Sequence, residues 1–289
     1  MKFWLTLNFE PPELLLDYAR KAEELGFAGV VLADHVVVKE GPRTPHPSNF
    51  NLQPDHIFLD PMVAYSAMAA VTTRLQFLTY VYVLPLRDPF MIAKLGSSVA
   101  VLSNNRFILG TGVGWLKEEF ETMGRDFHTR GKRMDEILPI LRDFWDDGYA
   151  EADGEFFKFP RSGMFPVPER PIPMWIGGHS LPAARRAALY DGYMPMRPLT
   201  SADGELDPQT EAEFALIEEV RREKGLTGTY EKKMYLGFDL TDPGQVRKIE
   251  ERSGIGHLQW MAFQDGVERT YDEKITLISR FAEKIIHKL

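Results

Sequence analysis

The chain contains no cysteine. Disulfide bonds, thiolate nucleophiles and cysteine-ligated zinc sites are therefore excluded, and a cytoplasmic location is expected. Long apolar runs are also missing, because no stretch reaches the roughly eighteen residues that a membrane-spanning helix needs. The segment from Met1 to Asn8 lacks the long apolar region and the small-residue cleavage site of a signal peptide. We therefore expect no membrane partner.

Basic residues are outnumbered: 34 lysines and arginines face 42 acidic residues, which gives a net charge of −8. Proteins that bind nucleic acid normally carry a basic face, so this balance argues against a nucleic-acid partner. The apolar share of 44% is that of a globular protein with a large core. A small-molecule substrate is the expected partner.

Metal-binding and nucleotide-binding motifs are missing too. The seven histidines are scattered, and none forms a His-x-His or His-Glu-x-x-His pattern, so we predict no metal site. The glycines from Gly110 to Gly114 resemble a phosphate loop but lack its Lys-Ser/Thr ending. No Gly-x-Gly-x-x-Gly follows the first predicted strand, which disfavours a doubly wound dinucleotide-binding sheet.

What the sequence does show is a regular alternation of strand-like and helix-like segments. Eight strands and the helices between them predict an α/β fold, a single (β/α)₈ TIM barrel over residues 1–289, with an insertion after the fourth helix. The doubly wound sheet is the alternative. The predicted strands are residues 3–8, 28–33, 75–84, 106–112, 173–180, 191–196, 233–240 and 257–263. The predicted helices are residues 12–25, 60–70, 89–102, 114–124, 130–145, 182–189, 207–224, 243–253 and 270–288, with the insertion at 148–172 and a long loop at 36–59.

The fifth predicted strand runs into Gly177, Gly178, His179 and Ser180, and then into a helix. Glycines let a ligand approach the backbone, Ser180 is a suitable helix N-cap, and free amides at such a turn favour an anion. This pattern indicates a phosphate site. A plain glycine-rich turn with an N-cap explains the same residues, and spacing alone leaves both interpretations open.

Asp34 and His35 follow the second predicted strand. Active sites of these barrels lie at the C-terminal ends of the strands, and a histidine there can exchange a proton near neutral pH. The alternative is an aspartate that caps the loop beside a histidine packed for bulk. Arg130 also has two interpretations, a surface charge or a phosphate contact. The remaining strand ends are aromatic, small or apolar, which suits a flat aromatic cofactor better than a metal.

Several stretches resemble the bacterial luciferase-like monooxygenase family, and within it the branch that uses the deazaflavin cofactor F420. Together they span about residues 1–200 in the expected order. The stretches are Leu-Ala-Asp-His at 32–35, Pro-Leu-Arg-Asp-Pro at 85–89 with Ala-Lys at 93–94, Val-Leu-Ser-Asn-Asn-Arg at 101–106, Leu-Gly-Thr-Gly-Val-Gly-Trp at 109–115 with Glu-Glu-Phe at 118–120, Phe-His-Thr-Arg-Gly at 127–131 with Arg-Met-Asp-Glu at 133–136, and Trp-Ile-Gly-Gly-His-Ser at 175–180 with Asp-Gly-Tyr at 191–193.

The resemblance implies a barrel, often dimeric, with the cofactor ring at its mouth. It implies a non-prolyl cis peptide at Tyr80-Val81 and a role for His35 in handling a proton, with Asp34 nearby as the second catalytic residue. It places the cofactor phosphate near His179 and Ser180. The expected cofactor-binding residues are Thr79, Tyr80, Val81, Gly112, Val113, Gly177, Gly178, His179 and Ser180.

Two positions depart from the family's pattern. A carboxylate that acts as an acid in one sugar-phosphate dehydrogenase of the family aligns with Trp115, which argues against a sugar-phosphate substrate. The arginine that holds the FMN phosphate in luciferase aligns with Val113, which weakens the case for FMN.

Three functions remain. The first is F420-dependent hydride transfer to or from a small organic substrate, with Lys39, Arg43 and Arg87 available for the cofactor's oligoglutamate tail. The second is an FMN-dependent monooxygenase that uses O₂ and reduced flavin. The third is a non-catalytic flavin-binding barrel, which could lack His35.

Overall fold

Parallel strands alternate with helices along the chain, and the last barrel strand pairs with the first. The computed structural model describes residues 1–41, 44–46, 50–262 and 267–289. Its strands are Lys2–Thr6 (β1), Gly29–Leu32 (β2), Gln76–Thr79 (β3), Tyr82–Val83 (β4), Phe107–Gly112 (β5), Tyr149–Asp153 (β6), Lys158–Gly163 (β7), Met174–Gly178 (β8), Gly192–Pro195 (β9), Pro198–Leu199 (β10), Glu231–Leu236 (β11) and His257–Trp260 (β12).

The barrel order within these ranges is β1, β2, β3, β5, β8, β9, β11 and β12, with β12 paired to β1. Every pairing in this ring is parallel. The predicted (β/α)₈ barrel is confirmed, and the doubly wound alternative is wrong because the sheet closes on itself. Closure brings the C-terminal ends of all these strands to one rim, which we call the mouth.

The helices pack around the barrel, and several of them begin at a residue whose side chain caps the first turn. Side chains of Asp60, Asp88, Asp207, Asp242 and Thr270 each accept a backbone N–H of the first turn. In the described ranges no helix combines the length and apolar composition needed to cross a membrane. The helices are Leu15–Glu24 (α1), Pro61–Ala69 (α2), Pro89–Leu102 (α3), Lys117–Thr122 (α4), Arg130–Asp146 (α5), Leu181–Ala187 (α6), Pro208–Glu223 (α7), Pro243–Ser253 (α8) and Tyr271–Lys284 (α9).

The third predicted strand, residues 75–84, is not continuous. It stops at Thr79 and resumes for two residues in β4, where the N–H of Val83 donates to the Asp34 carboxylate at 3.0 Å. The helix predicted from residue 114 begins only at Lys117, since Gly114 has a φ of +81°. The end of the eighth predicted strand, Phe263, lies outside the described residues, and β12 ends at Trp260.

The predicted insertion is an antiparallel hairpin of β6 and β7 that follows α5, the helix after the fourth barrel strand. Glu136 of α5 holds the hairpin turn, because its carboxylate accepts the N–H groups of Glu155, Phe156 and Phe157 at 2.9–3.0 Å. The hairpin is therefore anchored over the first half of α5.

The barrel interior holds a buried lysine among side chains that are mostly apolar. Lys233 donates to the side chain of Gln259, and Gln259 donates to Thr6 at 2.8 Å. The Nζ atom of Lys233 lies 3.6 Å from the centre of the Tyr80 ring. The Lys233 side chain is fully buried, and burial lowers its pKa well below the usual range. The apolar interior consists of Trp4, Val31, Leu78, Tyr80, Ile108, Trp175 and Met194.

This burial makes the stability of the fold depend on pH. Below the unfolded-state pKa of about 10.4, the unfolded chain binds a proton at Lys233 that the folded chain does not hold. Stability should therefore rise with pH between the lowered folded pKa and that value. We expect the Lys233→Met variant to lose this slope, about 1.4 kcal/mol per pH unit for one proton. The measurement is urea unfolding of both proteins at pH 7 and pH 9.

The control is Lys224→Met, because Lys224 is exposed at the end of α7 and should leave the slope unchanged. Parallel curves of unfolding free energy against pH for wild type and Lys233→Met would contradict a neutral buried lysine.

Candidate active site

A histidine and a glutamate meet at the mouth of the barrel. His35 follows β2, and its Nδ1 lies 2.9 Å from Oε2 of Glu119 in α4. The side chains are 11% and 2% exposed. The other carboxylate oxygen of Glu119 accepts the N–H of Val36 at 2.6 Å. An ionised carboxylate only accepts hydrogen bonds, so Nδ1 of His35 carries a hydrogen, and when the ring is neutral Nε2 is left as an acceptor.

Glu119 is the residue that sequence reasoning missed. The resemblance included it in the Glu-Glu-Phe stretch, but no role was assigned to it. Glu119 is 84 residues from His35, so only barrel closure brings them together. The available signal was its position, since it lies in the first turn of α4, the helix that follows β5 at the mouth.

Asp34 is bound in a buried ion pair rather than facing open space. Its two oxygens accept from Nη1 and Nη2 of Arg87 at 2.6 and 2.7 Å, and Val83 donates a third hydrogen bond. Arg87 also lies 4.1 Å above the Tyr82 ring. Arg87 is therefore not available for a cofactor tail, which corrects that expectation. Arg43 lies outside the described residues.

Aromatic rings surround His35. Phe58 and Trp115 contact it edge to face, with ring centres 5.0 and 5.8 Å away. His46 packs against Trp115, with ring centres 4.7 Å apart. Burial lowers the pKa of His46, and the charge of His35 lowers it further. The wall continues through Phe9, Phe50 and His56. These surroundings are apolar and flat, which suits an organic substrate and keeps water from the histidine.

The peptide between Tyr80 and Val81 is cis, which confirms the expectation drawn from the resemblance. The Val81 side chain fills the space that two glycines leave open. A Cβ on Gly112 would lie 2.9 Å from Val81 Cγ2, and one on Gly177 would lie 2.4 Å from Val81 Cγ1. A Cβ on Gly178 would meet Ala183 at 2.5 Å. The need for glycine at these positions thus comes from internal packing, and it is no evidence of ligand approach.

The turn after β8 leads into α6, and Ser180 caps that helix by accepting the N–H of Ala183 at 3.4 Å. The N-cap interpretation is therefore correct, whereas phosphate binding at this turn stays a prediction. The start of α5 lies beside α6, because Arg186 of α6 reaches Asp135 at 2.6 Å and the carbonyl of Gly131 at 3.5 Å.

Three arginines cluster at the start of α5: Arg125, Arg130 and Arg133. Burial lowers the pKa of Arg130 and of Arg133, and the charge of Arg125 lowers the latter further. The Nε of each is buried without a hydrogen-bond partner, and within the described ranges no carboxylate pairs with any of them. Phe127 packs under Arg130 at 3.7 Å. Glu136 is the one carboxylate whose charge acts on Arg133, and Arg130 donates to the carbonyl of Phe127 at 2.8 Å. Partly buried arginines without an ion pair fit a ligand that brings an anion, such as a cofactor phosphate.

The structure brings the predicted residues to one rim, at the ends of β2, β3, β5 and β8, and their contact with a cofactor stays a prediction. Within the described ranges no group of three or more potential ligands could hold a metal ion. The residues at the rim are Asp34, His35, Thr79, Tyr80, Val81, Gly112, Val113, Gly177, Gly178, His179 and Ser180.

Known proteins share this architecture. Protein Rv0940c of Mycobacterium tuberculosis is 35% identical over 258 residues, which cover 85% of this chain and 86% of that protein. Monooxygenase RslO1 of Streptomyces bottropensis superposes with a TM-score of 0.79 at 18% identity, over 100% of this chain and 99% of that one. The F420-dependent tetrahydromethanopterin reductase of Methanopyrus kandleri gives 0.74 at 13%, over 99% of both chains.

At sequence identities of 18% and 13%, these two known structures show only that the fold is shared. The sequence profile of the luciferase-like monooxygenase family matches residues 4–233, which is most of the barrel. The chain therefore belongs to the luciferase-like monooxygenase family.

Proposed function

We propose that the protein is an F420-dependent oxidoreductase that transfers hydride to or from a small organic substrate. The observation that carries this proposal is the pair of His35 and Glu119 within the aromatic wall at the mouth. A non-catalytic flavin-binding barrel would have no use for a histidine with a fixed tautomer. Family membership supports the coarser assignment to flavin-type oxidoreductases and monooxygenases.

When bound, the deazaflavin supplies the hydride acceptor or donor. His35 handles the proton, because hydride transfer between an alcohol and a carbonyl also moves one proton at the substrate oxygen. Its Nε2 accepts that proton in one direction and returns it in the other. Glu119 holds the Nδ1 hydrogen and stabilises the positive charge that forms on the ring. Phe58 and Trp115 exclude water from this exchange.

In this proposal Asp34 acts indirectly, through the backbone that carries His35. Its oxygens are occupied by Arg87 and the N–H of Val83, so it fixes the backbone beside His35 instead of exchanging protons itself. The residues that would hold the cofactor are the predicted ones at the rim. Val81 and Val113, both half-buried, offer apolar surface to its ring, and the turn from Gly177 to Ser180 offers amides to its phosphate.

A second candidate is an FMN-dependent monooxygenase, and one observation favours it. FMN ends in a phosphomonoester with close to two negative charges, which normally needs a cationic partner. Val113 supplies none, but Arg130 and Arg133 lie on α5 beside α6, and neither makes an ion pair within the described residues. The F420 phosphate is a diester with one charge and needs less compensation.

We also propose a homodimer. The neighbouring helices α2 and α3 expose apolar side chains, with Val63, Met91 and Leu102 58–68% exposed. Apolar side chains exposed together on adjacent helices are typical of an interface. We expect the wild type to have the mass of two chains by light scattering, and Leu102→Glu to shift it toward one. Leu226→Glu, at an exposed leucine after α7, is the control. A monomeric wild type would rule out the dimer.

The role of His35 predicts the effect of its substitution. His35→Asn should lower kcat about a hundredfold or more, because a positioned acid-base group contributes that much. Cofactor affinity should stay nearly unchanged. Glu119→Gln should lower kcat less, since it keeps the shape but loses the charge. Turnover is measured with whichever of a panel of small alcohols, aldehydes and ketones supports F420 reduction or oxidation. Equal kcat in wild type and His35→Asn would remove the histidine from the mechanism.

The cofactor assignment predicts an order of affinities. F420 should bind more tightly than FMN, and added salt should reduce the preference because the glutamate tail binds through exposed charges such as Lys39. Parallel fluorescence titrations of the apoprotein measure both constants. If FMN binds tenfold more tightly than F420, a gap of about 1.4 kcal/mol in binding free energy, the F420 assignment is wrong and the FMN-dependent monooxygenase takes its place.

A further inference from the structure

Six rings at the mouth form a closed circle of contacts, and His35 is one of them. Neighbouring members have ring centres 4.7–5.8 Å apart, and five of the six contacts are edge to face. The sixth is the stacked pair of Phe9 and Phe50. We call this set the aromatic circle. Its members, in order, are His35, Trp115, His46, Phe50, Phe9 and Phe58.

The aromatic circle is open to solvent, unlike the packed core. Phe9, Phe58 and Trp115 are half-buried, and Phe50 is 37% exposed. Apolar side chains left open to solvent beside one another mark a binding site more often than a packing site. Three further apolar side chains of the same long loop are 39–46% exposed, namely Val36, Ile57 and Leu59.

The loop that carries three members of the aromatic circle is anchored to α4. Glu118 accepts the N–H and the hydroxyl of Thr44 at 3.0 and 2.7 Å, and Glu119 accepts the N–H of Val36 at 2.6 Å. Two adjacent carboxylates therefore hold the loop at two points. Burial lowers the pKa of His46, so at neutral pH this ring is uncharged and adds a flat, neutral surface to the circle.

Phe9 has an unfavourable backbone conformation. Its φ is +65°, in the left-handed region that residues with bulky side chains rarely adopt. The other described residues with a positive φ are glycines and two asparagines, Asn104 and Asn105, and both types tolerate this region. Strained residues of this kind cluster at active sites and ligand-binding sites.

Contacts on both sides keep Phe9 in this conformation. The side chain of Asn8 accepts the N–H of Ala33 at 2.7 Å, which joins the chain after β1 to the chain after β2. Glu10 is buried, and both of its carboxylate oxygens accept from Nζ of Lys274 in α9 at 2.8 Å. The fold therefore imposes the strained conformation that places the Phe9 ring in the aromatic circle.

We propose that the aromatic circle binds the ring of a flat aromatic alcohol or carbonyl compound, and that Phe9 is a specificity-determining residue of this pocket. The inference rests on the proposed function, because the alcohol or carbonyl oxygen of the substrate is the group that exchanges a proton with His35. An aromatic substrate makes edge-to-face and stacked contacts with the circle, and these add to the effect of apolar burial. A puckered aliphatic ring of the same size gains only the burial.

The test compares two methyl ketones that differ only in the flatness of their ring. Acetophenone carries a phenyl ring, and cyclohexyl methyl ketone carries a puckered ring with the same number of carbons. Each is reduced by the holoenzyme with reduced F420, and kcat and KM are measured. We expect the KM of wild type for acetophenone to be about threefold to tenfold lower, the effect of one or two aromatic contacts. Equal KM values for the two ketones in wild type would overturn the proposal.

Phe9→Leu keeps the apolar bulk and removes the ring. We expect it to bring the two KM values within about twofold of each other, and to leave kcat for cyclohexyl methyl ketone nearly unchanged. The matched control is Phe165→Leu, which should keep the preference of wild type, because Phe165 is 57% exposed and packs on Tyr149 of the hairpin. If Phe9→Leu raises both KM values equally, or raises neither, Phe9 does not determine specificity.

A second variant covers the case in which leucine is not accommodated at the strained position. Phe9→Gly removes the same ring, and glycine adopts a positive φ without strain, so this variant should fold. It should lose the preference for acetophenone as Phe9→Leu does. A preference equal to that of wild type in Phe9→Gly would overturn the proposal.

Failure of the proposed function gives a different result. If wild type reduces neither ketone with F420, calorimetric titration of the protein with each ketone tests the pocket itself. Tighter binding of acetophenone than of cyclohexyl methyl ketone by wild type, and equal binding of both by Phe9→Leu, would support the aromatic pocket without the assigned reaction. Equal binding of the two ketones by wild type, or binding of neither, would overturn it.

Discussion

The buried ion pair of Asp34 and Arg87 is the interaction on which the mouth of the barrel depends. It fastens the end of β2 to the turn after β4, and the same carboxylate takes the N–H of Val83 from the interrupted third strand. Breaking such a pair from one side leaves an uncompensated charge, at a cost of about 3–5 kcal/mol. His35 is the next residue along the chain, so this pair fixes the backbone from which the histidine reaches Glu119.

Sequence patterns predicted the barrel well because its signals are local. Helix caps, apolar strands and the hairpin insertion each involve neighbouring residues, and the cis bond followed from a resemblance in a short motif. The pair of His35 and Glu119 could not be predicted in this way, because barrel closure alone brings together residues 84 positions apart. Arg87 was misread for the same reason, since a sequence does not show that an arginine already has a partner.

The electrostatic environment of the site depends on neighbouring groups rather than on the net negative charge of the chain. Two carboxylates at the rim are satisfied by their neighbours: Asp34 is paired with Arg87, and Glu119 accepts hydrogen bonds from His35 and two backbone amides. The arginine cluster adds positive charge at the start of α5, beside α6. Since charges more than about 10 Å apart are largely screened near physiological salt, the field at the rim depends mainly on such neighbours and scarcely on the net charge of −8.

The glycines around Val81 have a consequence for how this barrel can vary. Because one valine side chain occupies the space beside both Gly112 and Gly177, these three positions form a single packing unit. Residues in direct contact do not contribute independently, so an alanine at either glycine would be tolerated only together with a smaller residue at 81. Three segments that are far apart in the sequence are therefore coupled, and a substitution in one of them changes what the other two can accommodate.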